Sequence, residues 1–299
     1  MQEDLEIHVP GYGEVAVAEY GDPSGRPILF LHGWPSSRIQ GRLCDADGRR
    51  LGLRIVAFDR PGIGGSEGCG VEGLADWPGF VEALVGALGI AGKVSILAVS
   101  GGAPFVYACG WGLAERLELA AVVCGAVPLA YVRDRRAVML PYRVLMWARE
   151  SVPWALAGIM QAAGLLTGLK VTHPVAWAML RFLPVTDREV MAEPLVHDCV
   201  MGSFREALRG GVDGILGEAA VFVDEWPFGL EEVRFPIRFW HGELDNNIPA
   251  TLVREVVGQL PDAEVKWYPD EGHYSIAAGR IGEVLEWMAS EGVRARSGT

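Results

Sequence analysis

Short apolar runs separated by stretches of helical length constrain this chain more than any other feature. Pro27–Leu31, Arg54–Phe58 and Val94–Val99 are too short for buried helices and rich in branched residues, as strands buried on both faces are. Ser37–Leu51 and Leu74–Leu88 between them, and Ala103–Leu113 after them, have the length and spacing of helices, and Leu119–Cys124 returns to strand. Such alternation predicts a parallel sheet with helices on both faces. Leu5–Val9 and Glu14–Tyr20 read as strands paired across the Pro10-Gly11-Tyr12-Gly13 turn. The rhythm breaks at Pro128. From Leu129 to about Trp226 the patterns are helical only, rich in Trp, Met and Leu. Strand Pro236–Trp240, helix Ala250–Leu260, strand Ala263–Tyr268 and helix Ile276–Ser290 then resume the rhythm, before a polar tail. One core, residues 1–128 and 227–299, with a helical insertion over 129–226 fits this order.

A core of that size needs apolar material, and half of the 299 residues are hydrophobic. The 26 Lys and Arg against 38 Asp and Glu leave a net charge of −12, which repels phosphate backbones and argues against nucleic acid as a partner. No membrane span is expected. The most apolar region, Val138–Leu183, is broken by Pro141, Arg143, Arg149, Glu150, Pro153, Lys170, Pro174 and Arg181. The acidic N-terminus lacks the apolar run of a secretory leader. Cys44, Cys69, Cys109, Cys124 and Cys199 are scattered without C-x-x-C spacing, which fits buried or half-buried thiols in a reducing cytoplasm.

The chemistry concentrates where predicted strands end. Val94–Val99 runs straight into Ser100-Gly101-Gly102 and a helix. A serine on so sharp a strand-to-helix turn needs small neighbours and stands clear of the sheet edge, as in the G-x-S-x-G elbow. Ala98 here replaces the first glycine. His32-Gly33-Trp34-Pro35 follows another buried strand, and Gly33 lets backbone approach a ligand. The N–H groups of Trp34 and Gly101 are the expected donors to a developing oxyanion, and His32 is expected to shape its own loop. Asp245 follows the strand ending at Trp240, with Glu243 as the rival acid. His273 follows the strand ending at Tyr268 and is expected in a loop. Ser100, Asp245 and His273 thus each follow a predicted parallel strand, in the chain order Ser, Asp, His.

With HGWP (32–35), FDRPGIGGS (58–66), AVSGG (98–102), HGELDNNIP (241–249) and EGH (271–273), the chain resembles the α/β-hydrolase superfamily over nearly its whole length. The resemblance implies a mostly parallel, eight-stranded-type sheet and a helical lid inserted after the sixth strand. It implies that Asp59 and Arg60 fix backbone geometry rather than react. Relatives resembling haloalkane dehalogenases and epoxide hydrolases carry aspartate at the elbow, so Ser100 favours esters, thioesters, amides or activated carbon–carbon bonds.

The expected enzyme is a serine hydrolase with nucleophile Ser100, base His273 and orienting acid Asp245, acting on a small or medium apolar ester-like molecule without metal or organic cofactor. Substrate contacts are expected from Gly33 and from apolar residues of the insertion, above all Met146, Trp147, Trp154 and Trp177, with Met139, Leu140, Met160, Met179 and Phe182 as further candidates. A carbon–carbon bond hydrolase, a perhydrolase or an aminopeptidase on the same triad stays open, as does a hydrolase-like ligand receptor. Either a monomer or a homodimer is compatible with the sequence.

Overall fold

A computed structural model of the chain describes residues 2–68, 70–129, 143, 147–148, 151–169, 173–174, 180–181 and 183–297. Eight strands form one sheet: β1 (Gln2–Val9), β2 (Gly13–Gly21), β3 (Arg26–Leu31), β4 (Leu53–Phe58), β5 (Val94–Val99), β6 (Leu117–Val123), β7 (Ile237–Gly242) and β8 (Ala263–Tyr268). Their spatial order is 1-2-4-3-5-6-7-8. The β1–β2 and β2–β4 pairs are antiparallel, and every later pair is parallel.

Alternation along the central strands explains the two cores. Leu29, Leu31, Val56, Phe58, Ile96 and Ala98 project to one face, packed with helices α2 (Trp77–Ala87) and α3 (Ala103–Gly112). Their neighbours Ile28, Phe30, Ile55, Ala57, Leu97 and Val99 project to the other, with Ile281, Val284, Leu285 and Met288. Strands covered on both faces carry continuous apolar runs, the pattern by which they are recognised in the sequence.

Ser37–Leu51 is helical in two styles. Arg38–Cys44 winds as a 3₁₀ helix and α1 (Asp45–Leu51) continues it. Gly41 lies so close to Ala57 and Tyr20 that a Cβ there would fall within 3 Å of both. Between β6 and β7 the described helices are α4 (Pro153–Leu166), α5 (Val185–Ala192), α6 (Pro194–Ala207) and α7 (Asp213–Val223). After β7 come α8 (Ala250–Val257), α9 (His273–Gly279) and α10 (Ile281–Ser297). The single helix expected over Ile276–Ser290 is therefore two, broken at Arg280 just after Gly279, a residue that ends helices readily.

Among the described residues no helix is long and apolar enough to cross a membrane. Cys44, Cys109, Cys124 and Cys199 are buried free thiols, and Cys69 lies outside the described residues.

Candidate active site

Strands β3, β5, β7 and β8 each deliver to one edge of the sheet a loop that carries a residue of interest. At the end of the fully buried β5, Ser100 adopts φ 51°, a left-handed backbone that a non-glycine residue rarely takes. The chain reverses there with no room to spare. A Cβ on Gly102 would lie 2.5 Å from the Leu31 carbonyl oxygen, and one on Gly101 would lie 2.7 Å from the Trp34 nitrogen. Ala98 fits in place of glycine because Gly102, its neighbour across the turn, has no side chain; a Cβ on Gly102 would stand 3.1 Å from that of Ala98.

The structure brings Ser100, His273 and Asp245 into one hydrogen-bonded row. His273 Nε2 lies 3.0 Å from Ser100 Oγ, and Nδ1 lies 2.7 Å from Asp245 Oδ2. Asp245 Oδ1 accepts the N–H groups of Asn247 and Ile248, each at 2.8 Å, so both oxygens of this buried carboxylate are held. With Nδ1–H directed at the carboxylate, the Nε2 lone pair faces the serine hydroxyl. Burial works against the charged imidazolium. The Asp245 carboxylate, with the neighbouring Cys124 thiol as a further partner, outweighs it and holds His273 well above the ordinary histidine value of 6.5. Burial is also the main force on His32 and His241, and it pushes both below that value. His241 instead donates Nε2–H to the Ile248 carbonyl at 2.9 Å. Glu243, the rival acid, is exposed and paired with Arg254.

His273 is not in a loop: it is the first residue of α9. The stretch Gly272-His273-Tyr274 carries no N-cap side chain of its own, so the helix start is silent in the sequence. The cap comes from elsewhere. Asp187 of α5, 1% exposed, accepts the backbone N–H groups of His273, Tyr274 and Ser275 at 3.0, 2.9 and 2.8 Å. Sequence reasoning missed this residue, and its only trace is Gly272, where a Cβ would collide with the Asp187 carboxylate at 2.5 Å.

The loop after β3 is held with equal care. Arg60 donates Nη1–H to the His32 carbonyl at 2.5 Å and Nη2–H to the Gly33 carbonyl at 3.0 Å, and His32 donates Nδ1–H to that same Gly33 oxygen at 2.8 Å. A planar peptide whose C=O is tied on one side presents its N–H on the other. That N–H belongs to Trp34, and no described residue accepts from it or from the N–H of Gly101. Gln40 Oε1 accepts from Gly33 N–H at 2.6 Å. Arg60 is in turn paired with the buried Glu218 of α7, whose Oε2 is 2.8 Å from Nη2. Gln40 and Glu218 also escape the sequence reading. Asp59 pairs with Arg38 at 2.6 Å and accepts the Gly65 N–H, so Asp59 and Arg60 both act on loop geometry.

A cavity of about 340 Å³ opens on Ser100 and His273. Gly33 and Trp34 line it. Its apolar wall includes Leu166, Leu183, Met191, Val196, Val200, Met201 and Phe204. Val196, Val200 and Phe204, and with them Met201, recur at helical spacing and place one face of α6 toward the cavity. The substrate contacts expected of Trp147 and Trp154 do not occur in this cavity: the two residues are 59% and 82% exposed. Apolar character does not say which face of a helix turns inward; on α4 it is Leu156 and Met160 that are buried. Met146 and Trp177 lie outside the described residues, as do Met139, Leu140, Met179 and Phe182. Among the described residues no cluster of His, Cys, Asp or Glu is arranged to hold a metal ion.

Comparison with known proteins places this geometry in context. Residues 28–281 match the model of the alpha/beta hydrolase family. A non-heme haloperoxidase from Rhodococcus erythropolis is 33% identical over 273 residues, covering 87% of this chain and 89% of the relative. Among solved structures, a bromoperoxidase from Bacillus anthracis superposes with a TM-score of 0.69 at 16% identity, covering 95% of this chain and 98% of that one. A thermophilic esterase from Thermogutta terrifontis superposes with a TM-score of 0.65 at 20% identity, with coverage of 96% and 98%.

Proposed function

We infer the reaction from one premise: this chain belongs to the alpha/beta hydrolase family, and is an enzyme of that family. The function proposed is hydrolysis of small or medium apolar esters through an acyl-enzyme on Ser100. The observation that carries it is the unbroken row from Ser100 Oγ through the His273 imidazole to Asp245.

In the proposed cycle, His273 Nε2 takes the hydroxyl proton as Ser100 Oγ attacks the ester carbonyl carbon. Asp245 keeps Nδ1 protonated and stabilises the imidazolium that forms. The N–H groups of Trp34 and Gly101 receive the negative oxygen. Collapse expels the alcohol, which leaves with the proton from Nε2. Water then gives a proton to Nε2, attacks the acyl carbon and releases the acid, and Ser100 regains its proton.

The apolar wall of the cavity supports an uncharged acyl group. We assign that wall to a cap formed by residues 129–226 over a core of 1–128 and 227–299. The buried free thiols support a reducing compartment such as the cytoplasm. The Rhodococcus relative favours a second reaction on the same intermediate. Hydrogen peroxide in place of water would attack the acyl carbon, break its bond to Ser100 Oγ and leave as a peroxy acid.

One experiment tests both. The wild-type protein and Ser100→Ala are assayed on p-nitrophenyl esters, with and without peroxide, and treated with a fluorophosphonate probe. Loss of turnover, peroxy-acid formation and labelling in the variant is expected. Undiminished turnover in folded Ser100→Ala rules the mechanism out.

A further inference from the structure

Asp187 has no place in the reaction just described, yet it is buried against the element that carries the proposed base. The first three N–H groups of a helix have no partner within it, and a side chain at the N-cap usually takes the second or third. At the N-cap of α9 stands Gly272, which has no side chain to offer. Asp187 supplies the cap from α5. Its Oδ1 accepts from Tyr274 and Ser275, the second and third positions, and its Oδ2 accepts from His273, the first. A carboxylate there also meets the positive end of the peptide dipoles. Gly272 makes this possible, because any side chain at that position would occupy the space of the Asp187 oxygens. Ser275 Oγ completes the turn by accepting the Gly272 N–H at 2.8 Å.

We propose that Asp187 is a positioning residue for the base: it fixes the backbone at His273, and through it the imidazole between Ser100 and Asp245. The proposal rests on the reading of His273 as that base. Asp187 belongs to the segment between β6 and β7, 86 residues from His273 in the chain. Docking of that segment and readiness of the base are therefore one event. Removing the carboxylate leaves three N–H groups to find water, and the first turn of α9 loses the contact that sets where the ring sits.

Asp187→Ala, Asp187→Asn and Gly272→Ala are compared with the wild type by thermal melting, steady-state ester hydrolysis and NMR of the His273 Nδ1–H proton. In Asp187→Ala, kcat is expected to fall about 10²-fold, the loss that misplacement by ~1 Å brings, with KM little changed. The Nδ1–H resonance should exchange faster with water, and its pH titration should move down as a nearby negative charge is lost. Asp187→Asn, which keeps one acceptor oxygen, should recover part of kcat, and Gly272→Ala should reproduce the loss with the carboxylate present. Folded Asp187→Ala with wild-type kcat and an unchanged Nδ1–H signal overturns the proposal. If Asp187→Ala does not fold, wild-type kcat in folded Asp187→Asn together with folded Gly272→Ala overturns it instead. The NMR readout needs no turnover, so it decides the role of Asp187 even if Ser100→Ala shows the reaction to be wrongly assigned.

Discussion

Gly101→Ala is a demanding test of the proposed oxyanion site, because the added methyl lands between the two donors. Its Cβ would sit 2.5 Å from Trp34 Cβ, 2.7 Å from Trp34 N and 3.2 Å from Gly33 C. Ordinary contact begins at 3.4 Å, so Trp34 must retreat by about 0.9 Å. It is badly placed to do so. The carbonyl of the Gly33–Trp34 peptide is held by Arg60 at 3.0 Å, and the Trp34 indole N–H donates to the Ile215 carbonyl at 2.9 Å. A displacement of that size takes a donor out of the 2.7–3.1 Å range in which it stabilises an oxyanion, and loss of one donor costs about 10²–10³ in kcat, or roughly 3–4 kcal/mol. Crowding should lower stability by about 1–3 kcal/mol, so the protein is expected to fold. The assay is kcat and KM on a p-nitrophenyl ester together with the acylation burst, at a temperature where melting shows the variant folded. Burst rate and kcat should fall together while KM moves little. Gly86→Ala is the control: Gly86 lies within α2, nothing stands within 4 Å of its would-be Cβ, and alanine should stabilise by up to about 1 kcal/mol without touching kcat. If Gly101→Ala keeps kcat within about threefold of wild type, no donor was lost and the assignment fails.

Three further outcomes follow from the buried charges. The folded value of His273 lies well above 6.5, so kcat/KM should fall with acid through a midpoint above that value; a limb at or below 6.5 contradicts it. The same sign predicts that protonated His273 stabilises the fold below pH 6.5, and that this contribution is lost as pH rises through the folded value; urea midpoints of wild type and His273→Gln against pH read it directly. Glu218→Leu should lower the unfolding free energy by about 3–5 kcal/mol, because it strands the Arg60 guanidinium, 1% exposed, without a counter-charge. An unchanged urea midpoint for that variant refutes the pairing.

How much of this was legible depended on how local each cause is. The strands Val94–Val99 and Ala263–Tyr268 have the limits read from the sequence, because apolar runs and turn residues act on their own neighbourhood. The same locality put Ser100, Asp245 and His273 at strand ends. Asp187 and Glu218 were invisible for the opposite reason. Each is a single acid in a helical pattern, and its partner lies 86 or 158 residues away, across an interface that no periodicity encodes. The misplacement of His273 in a loop has the same origin, since the cap that starts α9 is borrowed. Trp147 and Trp154 went astray because bulk and apolarity argue for burial only on average.

These two acids change what the segment between β6 and β7 does. The sheet edge supplies every group of the proposed mechanism: β3 leads to Trp34, β5 to Ser100, β7 to Asp245 and β8 to His273. Yet the orientation of two of those groups is completed from outside the sheet. Asp187 holds the backbone of the base, and Glu218 holds Arg60, which holds the carbonyl behind the Trp34 N–H. Ser203 of α6 adds a third tie, accepting the Ser37 N–H at 2.9 Å beside the same loop. A segment tied at three buried polar points resists displacement more than one resting on apolar contact alone, because each separation would strand a polar group that had given up its water. Residues 185–223 therefore act as part of the frame of the site: lifting them would release base and oxyanion loop together.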